Sequence, residues 1–289
     1  MVENKLQSGY INCMNKPYIF TYDGELLQLV PKDEESIKPY DSFKNKNINY
    51  EVLEGDTIGF DKIFFLNCRL QVSLSGYIAK PAGYVCFSNG ERKFDVITFK
   101  GGIIDYFYRP NHIIDESNTQ YDYNTGEATL KLKTFDETSK QIEVEVAGKK
   151  AILTLSVTLP GEPLHMQIDY NLGKPKSIFR LTFHEPVDVS EFRTIYMWIY
   201  NLMVFLNFRK DISIGKIELG KTNEEKRIEH IGYIYLNEKE KNDISNIDRI
   251  IGYYFVFEHI NELLQIVNKE DLNLLFIPRC EKEDKYISA

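Results

Sequence analysis

Apolar and polar residues alternate through most of the first two-thirds of this chain. Residues 17–30, PYIFTYDGELLQLV, alternate on either side of Asp23-Gly24. A tight turn needs positive φ, which glycine supplies, so the stretch predicts a hairpin. IFFLNCRLQVSLSGYI (63–78) predicts one or two strands. GYVCFSNGERKFDVITF (83–99) brackets Asn89-Gly90, a strong hairpin signal. YDYNTGEATLKLKTF (121–135) predicts a turn at Thr125-Gly126, and QIEVEVAGKKAILTLSVTL (141–159) a turn at Gly148. HMQIDYNL (165–172) and SIFRLTFHEP (177–186) each read as a strand, whereas 31–50 is polar, holds two prolines and reads as a loop. Strands at this spacing predict an antiparallel sandwich or barrel. Strand and helix do not alternate here, which argues against a doubly wound sheet.

The period then changes. DVSEFRTIYMWIYNLMVFLNF (188–208) places apolar residues at 192, 195, 196, 199, 202, 203 and 206, the spacing of a helix. Asp188 and Glu191 predict a capping box at its start. Trp198 and Phe205 lie off the stripe. A second helix is predicted over 243–268, with a stripe through Ile247, Ile250, Ile251, Tyr254, Phe257, Ile260, Leu263, Leu264 and Val267, capped by Asp243 or Ser245. The predicted class is α+β: a β-rich antiparallel sandwich or barrel-like body over 1–186. A helix-strand-helix part over 187–289 is expected to pack on it as one continuous unit.

Composition narrows the function classes. With 43% hydrophobic residues in 289, the chain can bury a sizeable core. Its net charge of −8 and its lack of any long basic run make direct nucleic-acid binding an unfavourable expectation. Cys13, Cys68, Cys86 and Cys280 are scattered, and no C-x-x-C pair implies zinc or a disulfide framework. The N-terminus lacks an apolar signal core. The most apolar helical stretch, 195–208, is shorter than the roughly 20 residues that span a bilayer. A cytoplasmic protein without a membrane segment is therefore expected.

One motif must be weighed against its context. GKIELGKT (215–222) fits the phosphate-loop pattern through Gly215, Gly220, Lys221 and Thr222. A phosphate loop needs a strand before it and a helix whose first N–H groups face the phosphates. Here Ile217 and Leu219 alternate as in a strand that bulges at Gly215. Glu218 would stand inside the cradle, and Asn223-Glu224-Glu225 would open the helix, so carboxylates would repel a triphosphate. The alternative fits better: a strand over 212–219, a charged turn, and a strand over 230–236. No cofactor is expected.

GGIIDYFYRPNH (101–112) concentrates candidate chemistry. As a ligand-facing loop that also carries Asp105, it offers Arg109 to an anion, aromatics including Tyr106 and Tyr108 for stacking, and His112 as acid or base. As structure, Ile103, Tyr106 and Tyr108 or Phe107 would anchor an edge strand that Pro110 ends. The five histidines form no compact ligand spacing, so no metal site is expected. His184-Glu185 and Glu258-His259 are neighbours whose side chains should diverge. No G-x-S-x-G elbow, cysteine at a helix start or distinctive carboxylate pair assigns a catalytic residue.

The succession of elements resembles a known family. YIFTYDGELLQL is followed by a β-rich stretch with GGIIDYFYRP. LTFHEPVDVSEFRTIYMWIYNLMVFLNF leads into DISIGKIEL, and a helix with FEHINELL precedes LLFIPRCEKEDKYIS. This order is similar to the N-terminal domain of ApeA-type abortive-infection proteins, bacterial anti-phage factors. In that family the domain precedes a helical HEPN RNase module marked by R-x4-6-H. None of the Arg–His spacings here fits that signature, so no catalytic residue carries over, and the sequence ends where the family enters its first HEPN helix. The resemblance implies a fragment or stand-alone form of the non-nuclease half. Its role would be non-catalytic: sensing a phage-derived protein or small molecule, or restraining a HEPN nuclease domain in cis or in trans, with homo-oligomerisation open. The alternative is an enzyme or binding module for a small molecule or sugar in a β-sandwich cleft, using Asp105, Arg109 and His112.

Overall fold

The structure, a computed structural model, describes residues 6–32, 48–59, 61–87, 92–118, 120–129, 131–158, 175–236, 251–268 and 277. The strand expected over 165–172, the Asn89-Gly90 turn, most of the 31–50 loop, the helix caps Asp243 and Ser245, and Cys280 lie outside the described residues. The chain divides into two compact units, each assembled from separate segments. One takes Met1–Phe94, Asp188–Ser190 and Glu218–Lys239, and the other takes Asp95–Val187, Glu191–Ile217 and Glu240–Ala289.

The first unit is built on a closed six-stranded antiparallel barrel. Its strands are β1 (Gln7–Cys13), β2 (Lys16–Tyr22), β3 (Leu27–Pro31), β4 (Ile48–Thr57), β5 (Lys62–Ser73) and β6 (Gly76–Ala79). β1 pairs with β2 and β4, β3 with β2 and β6, and β5 with β4 and β6, which closes the ring and leaves those strands no open edge inside it. The alternation is visible in burial: Ile11 and Cys13, Tyr18, Phe20 and Tyr22, and Leu27 and Leu29 enter one core. On β5 the core residues are Ile63 and Phe65, then Cys68 and Leu70, and on β4 they are Ile48 and Tyr50, then Leu53. The inward parity changes on both strands at one level. Asn67 stands there with φ 51, a left-handed conformation that asparagine tolerates. The same region of β5 divides its second partner: Lys62–Leu66 pair with β7 (Gly83–Phe87), and Gln71–Ser73 with β6.

β15 (Ile228–Leu236) takes the other edge of β7. The described strands on either side of Asn89-Gly90 do not pair with each other as the expected hairpin requires. Both edges of β7 are taken by β5 and β15, and the next strand, β8 (Lys93–Gly102), is not its partner. The hairpins at Gly24, Gly126 and Gly148 do form, with φ of 98°, 73° and 76° at those glycines.

In the second unit the sheet runs β11 (Lys140–Val146), β12 (Lys149–Thr158), β13 (Lys176–Asp188), β8 from residue 95, and β14 (Ile214–Thr222) up to residue 217. The expected stripe Phe192, Ile195, Tyr196, Ile199, Leu202, Met203 and Leu206 is buried throughout. Four shorter helices precede or follow it, so the α-helices among the described residues are α1 (Ile103–Phe107), α2 (Phe135–Thr138), α3 (Phe192–Asn207), α4 (Tyr253–Val256) and α5 (Ile260–Asn268). α3 starts later than predicted and without the capping box. Asp188 Oδ1 instead accepts from the Ser190 N–H and hydroxyl in a 3-10 turn, and Glu191 pairs with Lys149 at 2.9 Å. The second predicted helix is broken. From Tyr253 it runs as α4, a 3-10 turn at Phe257–His259, and α5. α5 packs on α3 and β11 through Ile260, Leu264 and Val267. Two of its side chains also reach the backbone of β11: Asn261 Oδ1 accepts from the Glu145 N–H at 2.8 Å, and Gln265 Nε2 donates to the Glu145 carbonyl at 2.7 Å.

Candidate functional site

The 101–112 segment begins where β8 meets a neighbouring backbone. A Cβ on Gly102 would lie 2.4 Å from the Ser213 carbonyl oxygen, and one on Gly215 2.2 Å from that of Lys100. The first glycine of the phosphate-loop pattern is thus accounted for by close backbone approach. The rest of the pattern continues as β14, with Leu219 and Gly220 buried, and Asn223–Arg227 form a turn into β15. Asn223 Oδ1 accepts from the N–H groups of Glu225 and Arg227, so that turn closes on itself and no helix opens there.

Past Gly102 the chain forms α1, not the edge strand expected. Three apolar side chains at helical spacing explain the change: Ile103, Ile104 and Phe107 are all buried. α1 sends its polar residues in different directions. Asp105 Oδ1 accepts from the Ser177 N–H at 2.8 Å. Burial raises the Asp105 carboxyl above its ordinary range, against the lowering effects of that hydrogen bond and of Lys176. Tyr106 is half-buried and makes no ring contact or side-chain hydrogen bond with the described residues. Tyr108 is buried; its hydroxyl donates to the Thr138 carbonyl, and its own carbonyl accepts from the Ser177 hydroxyl. Burial pushes this phenol up to about 12, which keeps it a neutral donor.

Arg109 is exposed, and Pro110 opens a 3-10 turn that carries His112 back over Tyr108. The His112 and Tyr108 rings lie 4.6 Å apart, tilted by 31°. Tyr253 completes the group, edge-on to both, at 4.6 Å from Tyr108 and 5.2 Å from His112. Burial lowers the His112 imidazole below its ordinary value; Lys133 and Arg109 push it the same way, Glu116 opposes them, and Lys140 adds to the lowering. His112 is therefore a neutral ring at physiological pH. From Tyr253 the aromatic row continues to Tyr254, 5.8 Å away, and then to Phe255, 4.2 Å further on.

Of the expected site residues, the fold brings Tyr108 and His112 together and ties Asp105 to Tyr108 through Ser177. It leaves Arg109 at the surface and gives Tyr106 no partner among the described residues. Tyr253, Tyr254 and Phe255 were not among the candidates. The helical stripe assigned Tyr254 and Ile251 to the core, yet they are 69% and 42% exposed, and Phe255 is 68% exposed. The signal was present in the run Tyr253-Tyr254-Phe255 after Gly252, since three consecutive aromatics cannot all lie on one buried stripe.

Chemistry elsewhere is sparse. An open cleft of about 330 Å³ is lined by Gly148, Lys149, Lys150, His184 and Glu185. None of Asp105, Arg109 and His112 lines it. Glu145 and Lys150 are directly paired across β11 and β12, and Lys149 bonds Glu191, so its lysines face nearby carboxylates. Burial raises the thiols, Cys68 to about 12 and Cys86 to about 11, which makes them poor nucleophiles near neutrality. Among the described residues no group of three or more His, Cys, Asp or Glu is placed to hold a metal ion, and no helix is long and apolar enough to cross a membrane. Comparison with family models, with curated proteins and with solved structures finds no match.

Proposed function

We propose that this chain is a non-catalytic sensing or regulatory domain of a bacterial anti-phage abortive-infection protein. It recognises a phage-derived trigger or restrains a HEPN RNase, and it does so in the cytoplasm. The observation that carries this reading is the aromatic face of the second unit. Buried Tyr108, held by two hydrogen bonds, anchors a row of rings that ends in Tyr254 and Phe255 at the surface. Large rings on a fixed base are the usual anchors of recognition surfaces, because they offer area at little conformational cost. The resemblance in element order supplies the biological setting.

The test uses a protein that joins this domain to a HEPN nuclease. Deleting the domain should either abolish growth arrest on phage infection or make the arrest constitutive. Arrest that stays infection-dependent and undiminished after the deletion refutes the proposal.

A further inference from the structure

The aromatic row does not stand alone, and its surroundings differ in charge from the chain as a whole. Arg109 lies in the turn that carries His112, and the Lys133 N–H bonds the Ile113 carbonyl at 2.7 Å. Lys140 follows within two residues of Thr138, whose carbonyl receives the Tyr108 hydroxyl. All three cations act on the His112 ring. None of them forms an ion pair with a described residue.

Two of the neighbouring carboxylates are engaged locally. Asp115 accepts from Ser117 and Asn118 and lies 3.7 Å from Lys131, and Glu137 accepts from the Thr134 N–H in a capping box. Glu116 is the acid that acts on His112. A chain of net charge −8 thus gathers three cations, none paired with a described carboxylate, at the His112 end of a row of rings whose other end, Tyr254 and Phe255, is exposed.

We propose that this face docks an acidic polypeptide segment carrying an apolar or aromatic anchor, with the anchor on Tyr254 and Phe255 and the carboxylates toward Arg109, Lys133 and Lys140. The inference rests on the recognition reading above and names the chemistry of the partner. The charges set encounter and register, and the rings supply the desolvated contact. The same pairing gives selectivity, because the remainder of the chain repels an acidic segment. A nucleic acid is the less favoured occupant. Its affinity grows with the number of phosphates neutralised, and three cations on an acidic chain neutralise few.

The experiment measures binding of three fluorescent polyanions to the full chain by anisotropy: a random Glu-Tyr copolymer, poly-glutamate and poly-uridylate. The copolymer should bind most tightly and weaken as salt rises. Tyr254→Ala with Phe255→Ala should weaken it at least about tenfold, as loss of one to two interface anchors does, and so should Arg109→Glu with Lys140→Glu. All four side chains are exposed, and circular dichroism should report an unchanged fold. Failure of all three polymers to bind, copolymer binding indifferent to both double variants, or tighter binding of poly-uridylate each overturns the inference. Should the ring variant abolish infection-triggered arrest in cells while the copolymer fails to bind, recognition survives and the acidic partner is refuted.

Discussion

The barrel of the first unit and the aromatic row of the second use the same side chains for opposite ends. In the barrel, Phe65 is fully buried and meets Phe20 at 5.4 Å and Tyr22 at 5.2 Å, both edge-on, with Tyr84 at 6.5 Å. In the row, Tyr108 is as deeply buried, but each further ring reaches nearer the surface, until Tyr254 and Phe255 are more than two-thirds exposed. Edge-on ring pairs stabilise both groups. The difference lies in what the last ring faces: another ring of the core, or solvent. Aromatic content therefore says little about recognition until burial is known for each ring.

Truncating the barrel should produce the largest effect. Phe65→Ala should cost about 3–5 kcal/mol, by lost transfer energy and a cavity among rings that cannot collapse, read as a lower urea midpoint at unchanged slope. At the other extreme, Phe255→Ala should change stability by about 0.5 kcal/mol or less, as exposed positions do. A similar cost for the two variants would dissolve the distinction between packing and presentation.

Between these limits lies Asp105, at the base of the row. Asp105→Ala leaves the Ser177 N–H without its acceptor and should cost about 1–3 kcal/mol. Asp105→Asn keeps an acceptor and removes a carboxylate that burial disfavours, so it should be neutral or stabilising near pH 7. If the two variants are equally destabilised in chemical denaturation, the charge and not the hydrogen bond is what the site needs.

The smallest effect is one of pH. The folded protein holds the His112 imidazole below its unfolded value of about 6.5, so the unfolded state binds the proton more readily. The stability associated with neutral His112 is complete above that value and is lost as pH falls through it toward the folded pKa. Urea midpoints should therefore decline from pH 7.5 to pH 5, and His112→Gln should flatten part of the decline. An identical slope in the variant would place the ring outside any buried, cation-rich setting.

Much of the architecture was legible because local rules and tertiary context agreed. Glycines with positive φ marked three hairpins, and the α3 stripe was read residue by residue. β1 carries no such mark, because its turn, Met14-Asn15, has φ of 53° and 59° without a glycine. Asn89-Gly90 misled for the reverse reason: a good local turn cannot outweigh two long-range pairings of β7. Tyr108 and His112 are found by their proximity in sequence. Tyr253 is not, since more than a hundred residues separate it from Tyr108 and His112 and no local pattern encodes that meeting.

A side-chain amide has the same donor and acceptor as a peptide group. With Asn261 and Gln265 on the two polar groups of Glu145, α5 imitates a single residue of a further strand on β11. Among the described residues β11 is the end of its sheet, and at Glu145 that end is already satisfied. An extended chain arriving at Glu145 finds that residue's N–H and carbonyl already taken, so α5 interrupts the ladder a further strand would need there.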